Sequence, residues 1–144
     1  MGVPNFDFLI NNAGICATIH FAQVTENDFE LFMNIHFKSV YFLTQTLLPL
    51  LNDQGRIINI STGTRRVCVP GYSVYPSMKS GLETLTKYVA KDLGTRGITV
   101  NVIDSGSIET DFNNAAIRNH PEKKLPWLPS LLWEEMDKWR VWVG

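Results

Sequence analysis

The sequence is poor in cysteine, in long apolar runs and in net charge, and each shortage narrows the classes of protein that fit it. It has two cysteines, Cys16 and Cys68, and no Cys-x-x-Cys pair, which predicts free thiols in a cytoplasmic protein. No apolar run approaches the length of a bilayer span, so no membrane span is expected. The formal charge of −1, from 13 basic and 14 acidic residues, argues against nucleic acid as the main partner.

Metal-ligand spacing and a leader pattern are also missing. The three histidines, His20, His36 and His120, lie far apart and do not show the spacing of a metal site. No basic region precedes the first apolar stretch, so no signal peptide is expected at the N-terminus.

Apolar strand patterns alternate with long helical patterns along the chain. With 44% hydrophobic residues in 144, the sequence can bury the core of one ordinary domain. Strands are predicted at 8–11, 56–61 and 98–103, and helices at about 25–48 and 74–93. This alternation predicts an α/β fold with a parallel sheet of about three strands and flanking helices. The near-continuous apolar runs indicate a sheet that is covered on both faces.

Short polar residues mark the expected helix ends. Thr25 and Asp28 have the spacing of a capping box, and Pro49 should end the helix that they open. Ser73 is the predicted N-cap of the second helix, and Gly97 follows its last turn.

Tyr75 and Lys79 are four residues apart at the start of the second helix, so they share one face. A neighbouring ammonium lowers the pKa of a phenol from about 10 and makes the pair usable in acid–base chemistry. Taken alone, the pair is more typical of an exposed helical surface. Its context favours chemistry, because the hydroxyl pair Ser61 and Thr62 ends the preceding strand, where parallel sheets bind their ligands.

Five motifs in a fixed order carry a family resemblance. They are Leu-Ile-Asn-Asn-Ala-Gly at 9–14, Met-Asn-Ile at 33–35, Gly-Arg-Ile-Ile-Asn-Ile-Ser-Thr at 55–62, Tyr-Pro-Ser-Met-Lys at 75–79 and Gly-Ile-Thr-Val-Asn-Val at 97–102. Together the motifs resemble the short-chain dehydrogenase/reductase family over roughly residues 5–112. The resemblance implies part of a doubly wound, Rossmann-like sheet. It also implies hydride transfer between a nicotinamide cofactor, NAD or NADP, and a small carbonyl or alcohol substrate.

The resemblance also implies a role for each matching residue. Tyr75 would be the general acid or base, and Lys79 would lower its pKa and bind the nicotinamide ribose. Thr62, 13 residues before Tyr75, would orient the substrate in place of the family's usual serine, with Ser61 as the less favoured choice. Asn34 would hold a water in the proton relay.

Cofactor contacts would come from all three strand ends and from the second helix. Besides Tyr75 and Lys79, the implied cofactor-binding residues are Asn11, Ala13, Gly14, Gly106, Ile108 and Thr110.

The family's phosphate-binding turn, Thr-Gly-x-x-x-Gly-x-Gly, does not occur in the sequence. We therefore expect residues 1–117 to be the C-terminal part of a family domain, with its first half absent and its cofactor binding weak. Residues 118–144 are expected to form a divergent tail, which holds all four tryptophans.

Three interpretations remain open from the sequence. The first is an oxidoreductase that is impaired by the absent half. The second is a non-catalytic module that docks on itself or on a relative through its two long helices, and the third is a fragment without an independent role.

Overall fold

The computed structural model describes residues 4–66 and 68–105. The expected tail, and with it Gly106, Ile108 and Thr110, lies outside the described residues. The main elements are β1 (Phe6–Asn11), α1 (Glu26–Met33), a π-helical turn (Asn34–Lys38), α2 (Ser39–Leu47), β2 (Leu51–Thr62), α3 (Val74–Leu93) and β3 (Thr99–Ser105). Short 3-10 turns lie at Phe21–Gln23, Leu48–Leu50, Gly63–Arg66 and Gly94–Arg96.

The three strands form one parallel sheet in the order β1-β2-β3. Ile57 pairs with Leu9 on one side and with Val100 on the other, and Asn59 continues the same register. Because all strands run in one direction, their carboxyl ends meet at one edge of the sheet. The predicted α/β architecture is confirmed.

The helix ends largely follow the sequence signals. The Thr25 and Asp28 side chains each accept a hydrogen bond from the other residue's backbone N–H, which forms the predicted capping box. The second α-helical segment ends before Pro49, as expected. Ser73 stands at the N-cap of α3, but its backbone is already helical and its side chain makes no capping bond.

Gly97 ends the turn after α3 in a left-handed conformation, with φ of 65°. The left-handed conformation favours glycine, and a Cβ at this position would also require the end of the flexible Gln54 side chain to move. This turn returns the chain to the sheet, where Thr99 begins β3.

The main core lies between α3 and one face of the sheet. Its buried residues are Leu51, Ile57, Leu93, Ile98 and Val100. Both α2 and α3 bond to this face, since Thr44 accepts a hydrogen bond from Asn11 and Thr86 accepts one from Asn59.

The opposite face of β1 is open among the described residues. Phe8 and Ile10 point away from the helices and are 67% and 58% exposed. The sequence predicted a sheet that is covered on both faces. Within residues 4–66 and 68–105, the helices cover only one face of β1. Two large exposed apolar side chains on an edge strand are a typical site of association.

We predict that the 144-residue chain associates with itself through this open face. Ile10→Lys places a charge in the apolar patch and should shift the chain toward monomer in light scattering over a concentration series. Gln23→Lys adds the same charge at an exposed polar position and should leave association unchanged. A parent chain that stays a monodisperse monomer with a sharp two-state melt would contradict this prediction.

Candidate active site

The candidate site is built where the end of β2 meets the first turns of α3. Tyr75 and Lys79 lie one turn apart on α3 and are buried, with 7% and 4% of their surfaces exposed. The Lys79 ammonium lies 6.0 Å from the centre of the Tyr75 ring. The helix thus brings together the two residues that the sequence places on one face.

Lys79 is attached to the strand as well as facing the tyrosine. Its Nζ donates a hydrogen bond of 2.6 Å to the backbone carbonyl of Ile60, two residues before the end of β2. This bond supplies a partner for a cation that is otherwise withdrawn from water.

Thr62 joins the same site as the last residue of β2. A side-chain hydrogen bond connects Thr62 to Tyr75. This bond lowers the pKa of the Tyr75 phenol and so opposes part of the rise that burial causes. The Thr62 hydroxyl also accepts a bond of 3.2 Å from the Thr64 backbone N–H. The turn that follows β2 therefore fixes the hydroxyl next to the phenol.

Ser61 points away from Thr62, as strand alternation predicts. Its hydroxyl donates to the Glu83 carboxylate at 3.0 Å and lies 3.5 Å from the Lys79 carbonyl oxygen. These partners are on α3, so Ser61 fastens the helix to the strand.

Burial raises the pKa of Tyr75, the Thr62 hydrogen bond lowers it in part, and the nearby Cys16 raises it further. The expected lowering of this pKa by Lys79 is not found, because the ammonium donates to Ile60 and burial dominates. At neutral pH the phenol therefore keeps its proton.

Burial also lowers the pKa of Lys79 to about 8. A lysine in this range gains or loses its proton near neutral pH far more readily than an exposed one. The Tyr75 phenol and the Lys79 ammonium are thus two neighbouring buried groups that can each hold a proton.

Asn34 lies on the helical segment between α1 and α2. It begins the π-helical turn, and its carbonyl oxygen accepts a hydrogen bond from the Ser39 backbone N–H, five residues later. Its side chain is exposed and makes no hydrogen bond within the part of the chain that the structure describes. Its role in a water relay stays a prediction, and the π turn is a feature that often marks functional sites.

Asn11 lies in a buried polar chain beneath the site. Its amide donates to Asn59 at 2.8 Å and to Thr44 at 3.2 Å. Asn59 donates to Thr86 at 2.9 Å, and the Thr86 hydroxyl donates to the Leu82 carbonyl. The Asn11 side chain therefore steadies β1 against β2 and the helices. Its contact with a cofactor stays a prediction.

Ala13 and Gly14 lie in the exposed segment that follows β1, beside the carboxyl edge of the sheet. A Cβ on Gly14 would stand only 3.0 Å from Cε1 of the His36 ring. Glycine therefore lets this segment pass closely over His36. Contacts of Ala13 and Gly14 with a cofactor stay predictions.

Two residues that the sequence did not single out border Tyr75. Cys16 packs in the cluster that contains Phe32, Tyr75 and Met78, and burial raises its thiol pKa to about 11. His36 is fully buried and lies against the Tyr75 ring. Phe32, His36 and Val40 recur at intervals of four on the buried helical side, and this spacing signals that His36 points inward.

Within residues 4–66 and 68–105, no helix is both long and apolar enough to cross a membrane. No group of three or more His, Cys, Asp or Glu side chains there has an arrangement that holds a metal ion.

Known proteins resemble this chain in sequence and in fold. A family model described as enoyl-(acyl carrier protein) reductase matches residues 2–128. A dehydrogenase of Cochliobolus heterostrophus is 33% identical over 109 residues, which cover 76% of this chain and 47% of that protein. The chain thus spans about half the length of this curated relative.

Two solved structures show the same likeness in three dimensions. A dehydrogenase/reductase from Sinorhizobium meliloti 1021 is 36% identical with a TM-score of 0.79, and the match covers 88% of this chain and 50% of that one. The landomycin C-6 ketoreductase, solved with bound NADP and rabelomycin, is 37% identical with a TM-score of 0.68. That match covers 69% of this chain and 41% of the ketoreductase.

The buried lysine predicts a pH dependence of stability. Since the pKa of Lys79 falls from 10.5 to about 8 on folding, the unfolded chain binds more protons between these values. Stability should therefore rise as pH increases from about 8 to 9, whereas above pH 9 the raised thiol pKa of Cys16 acts in the opposite direction. Chemical denaturation should show that Lys79→Met removes this rise, whereas Lys91→Met, at an exposed position on the same helix, retains it. Equal slopes in both variants would contradict the assignment.

Proposed function

Since the chain belongs to the short-chain dehydrogenase/reductase family, we propose that it contributes the substrate side of a nicotinamide-dependent carbonyl/alcohol oxidoreductase. The observation that carries this proposal is the juxtaposition of Tyr75, Lys79 and Thr62 at the carboxyl end of β2. A cytoplasmic setting, in which Cys16 and Cys68 stay reduced, is part of the proposal.

The direction that this geometry favours is carbonyl reduction. Tyr75 carries its proton at neutral pH, as an ordinary phenol does, so its hydroxyl is the proton donor available to a carbonyl oxygen, although burial raises its pKa and makes it a weaker acid. Thr62 offers a second hydroxyl beside it, which is suited to orienting the same oxygen. The Lys79 ammonium lies 6.0 Å from the centre of the Tyr75 ring but does not lower the pKa of the phenol in this arrangement, so its proposed role is to hold the cofactor.

The residues present fit one end of a nicotinamide cofactor. Lys79 would hold the ribose next to Tyr75, and the open segment 12–14 beside the sheet edge would lie along it. When bound, the cofactor supplies the hydride that reduces the carbonyl carbon. The ketoreductase of similar fold, which was solved with NADP, supports this part of the proposal.

The other end of the cofactor has no matching sequence motif in these 144 residues. The glycine turn that cradles a dinucleotide's pyrophosphate at a helix N-terminus is missing from the sequence. We therefore propose that this chain alone binds the cofactor weakly and has impaired activity.

A titration tests the weak binding. Tryptophan fluorescence should show no saturation by NAD, NADH, NADP or NADPH at submillimolar concentration, because the pyrophosphate contacts are missing. Micromolar saturation by any of the four would overturn this part of the proposal.

A second candidate function is docking through the two long helical segments. An open, mainly apolar cavity of about 680 Å³ lies between α2 and α3, with Tyr41 and Tyr88 at its sides. Phe42 and Tyr88 are 52% and 70% exposed nearby. A second copy of the chain or a full-length relative would cover this surface. Light scattering with and without such a relative separates docking from a purely catalytic role.

The reaction itself is tested by removing the phenol oxygen. At millimolar cofactor and with a panel of small ketones, Tyr75→Phe should lower kcat/KM by about 10²- to 10⁴-fold, because the proton donor is lost. Tyr88→Phe, at an exposed position on the same helix, should retain the parent rate.

Equal rates in the parent and in Tyr75→Phe would refute the catalytic assignment. No turnover in a folded parent chain, combined with docking on a relative, would favour the second candidate function.

A further inference from the structure

His36 is the buried polar side chain that the proposed reaction leaves unassigned. It lies on the π-helical turn and is 0% exposed. A fully buried imidazole is costly unless its polar atoms have partners, so its contacts indicate what it does there.

One ring nitrogen of His36 holds the segment after β1. Its Nε2 lies 2.8 Å from the carbonyl oxygen of Ile15 and 3.4 Å from the Ile15 backbone nitrogen. We assign the proton to Nε2 from the shorter contact, because a carbonyl only accepts hydrogen bonds, and the longer contact with the Ile15 N–H would require the other tautomer. The imidazole thereby links the helical turn to the strand-end segment that includes Gly14, which lies directly over the ring.

The same ring also holds the tyrosine. The His36 and Tyr75 rings meet edge to face, with centroids 5.1 Å apart and planes at 76°. The centroid of the Phe32 ring, on α1, lies 5.7 Å from the centroid of the imidazole. Aromatic contacts of this kind favour one ring orientation, so His36 restricts the directions in which the Tyr75 hydroxyl can point.

The second ring nitrogen explains why the imidazole stays neutral. Nδ1 is buried and has no hydrogen-bond partner among the described residues. A proton on Nδ1 would be an unsatisfied donor in a buried cation, with the Lys79 ammonium close by on α3. Burial first and the Lys79 charge second lower the pKa of His36 to about 4, although the Ile15 carbonyl opposes the change.

We propose that His36 is a positioning residue: as a neutral imidazole it clamps the Ile15 backbone through Nε2 while its ring packs at a steep angle against the Tyr75 ring, and it thereby sets the direction of the Tyr75 hydroxyl. The consequence for carbonyl reduction rests on the proposed function. The clamp itself is a property of the folded chain and is measured without turnover.

The first test uses the unmodified chain with ¹⁵N-labelled histidine. Ring-nitrogen NMR shifts should show His36 as the neutral Nε2–H tautomer, without titration from pH 5.5 to 9 because its pKa lies near 4. His36→Gln identifies the signal, and the exposed His20 provides the comparison. An Nδ1–H tautomer, or a midpoint close to the ordinary histidine value of about 6.5, would overturn the clamp.

The second test follows Tyr75 in chains labelled with ¹³C at the tyrosine Cζ, with Tyr75→Phe to identify its signal. His36→Leu retains bulk but loses the donor to Ile15, so water should reach the phenol. The Tyr75 pKa should then fall by roughly one unit, a tenfold change in its ionisation constant. His36→Gln keeps an amide donor and should leave the Tyr75 pKa close to the parent value.

A folded His36→Leu chain whose Tyr75 pKa is unchanged would refute the positioning role. Equal shifts in the Leu and Gln variants would also refute it, because they would trace the effect to the ring's bulk and not to its hydrogen bond. If His36→Leu fails to fold, the tautomer of the unmodified chain decides the question. A missing activity would refute only the proposed function.

Discussion

The attachment of α3 to the end of β2 is the constraint on which the site depends. Three hydrogen bonds make this attachment: Lys79 donates to Ile60, Ser61 donates to Glu83, and Thr62 bonds to Tyr75. Two of the three involve side chains of the proposed chemistry. The bonds that fix the helix are therefore largely the bonds that assemble the site, and fold and site are stabilised together.

Burial gives this attachment its chemical consequences. Withdrawn from water, the phenol holds its proton more tightly and the ammonium holds its proton less tightly. The Lys79 bond to a carbonyl oxygen keeps the cation in place instead of leaving it unpaired. The buried Asn11–Asn59 pair supports the same region from below, because it links the two strands across the sheet. A neutral His36 adds no further charge to this confined space.

The sequence predicted the architecture well because its signals are local. Short, near-continuous apolar runs between the helical patterns define the three strands, and the capping box at Thr25 defines where α1 begins. The four-residue step from Tyr75 to Lys79 places both on one helical face. These features depend on residues that are near one another in the chain, so periodicity and spacing are sufficient to find them.

The remaining features depend on contacts between distant segments. The π-helical turn adds one residue to the regular helical repeat. The spacing of apolar residues along a long helix does not reveal such a local insertion. The bond from Lys79 to Ile60 depends on a rotamer that no motif specifies. His36 was considered only as a metal ligand, although its steps of four to Phe32 and Val40 placed it on the buried side. The open face of β1 depends on what packs against it, which an apolar run does not reveal.

A double-mutant cycle between Thr62 and Tyr75 tests the attachment most directly. The unfolding free energies of Thr62→Val, Tyr75→Phe and the double variant are compared with that of the parent. The cycle cancels the other bonds that each residue makes, including those between Thr62 and Thr64. The attachment predicts a coupling energy of about 0.5–3 kcal/mol, as for residues in direct contact. Additive effects, with a coupling energy below about 0.3 kcal/mol, would contradict it.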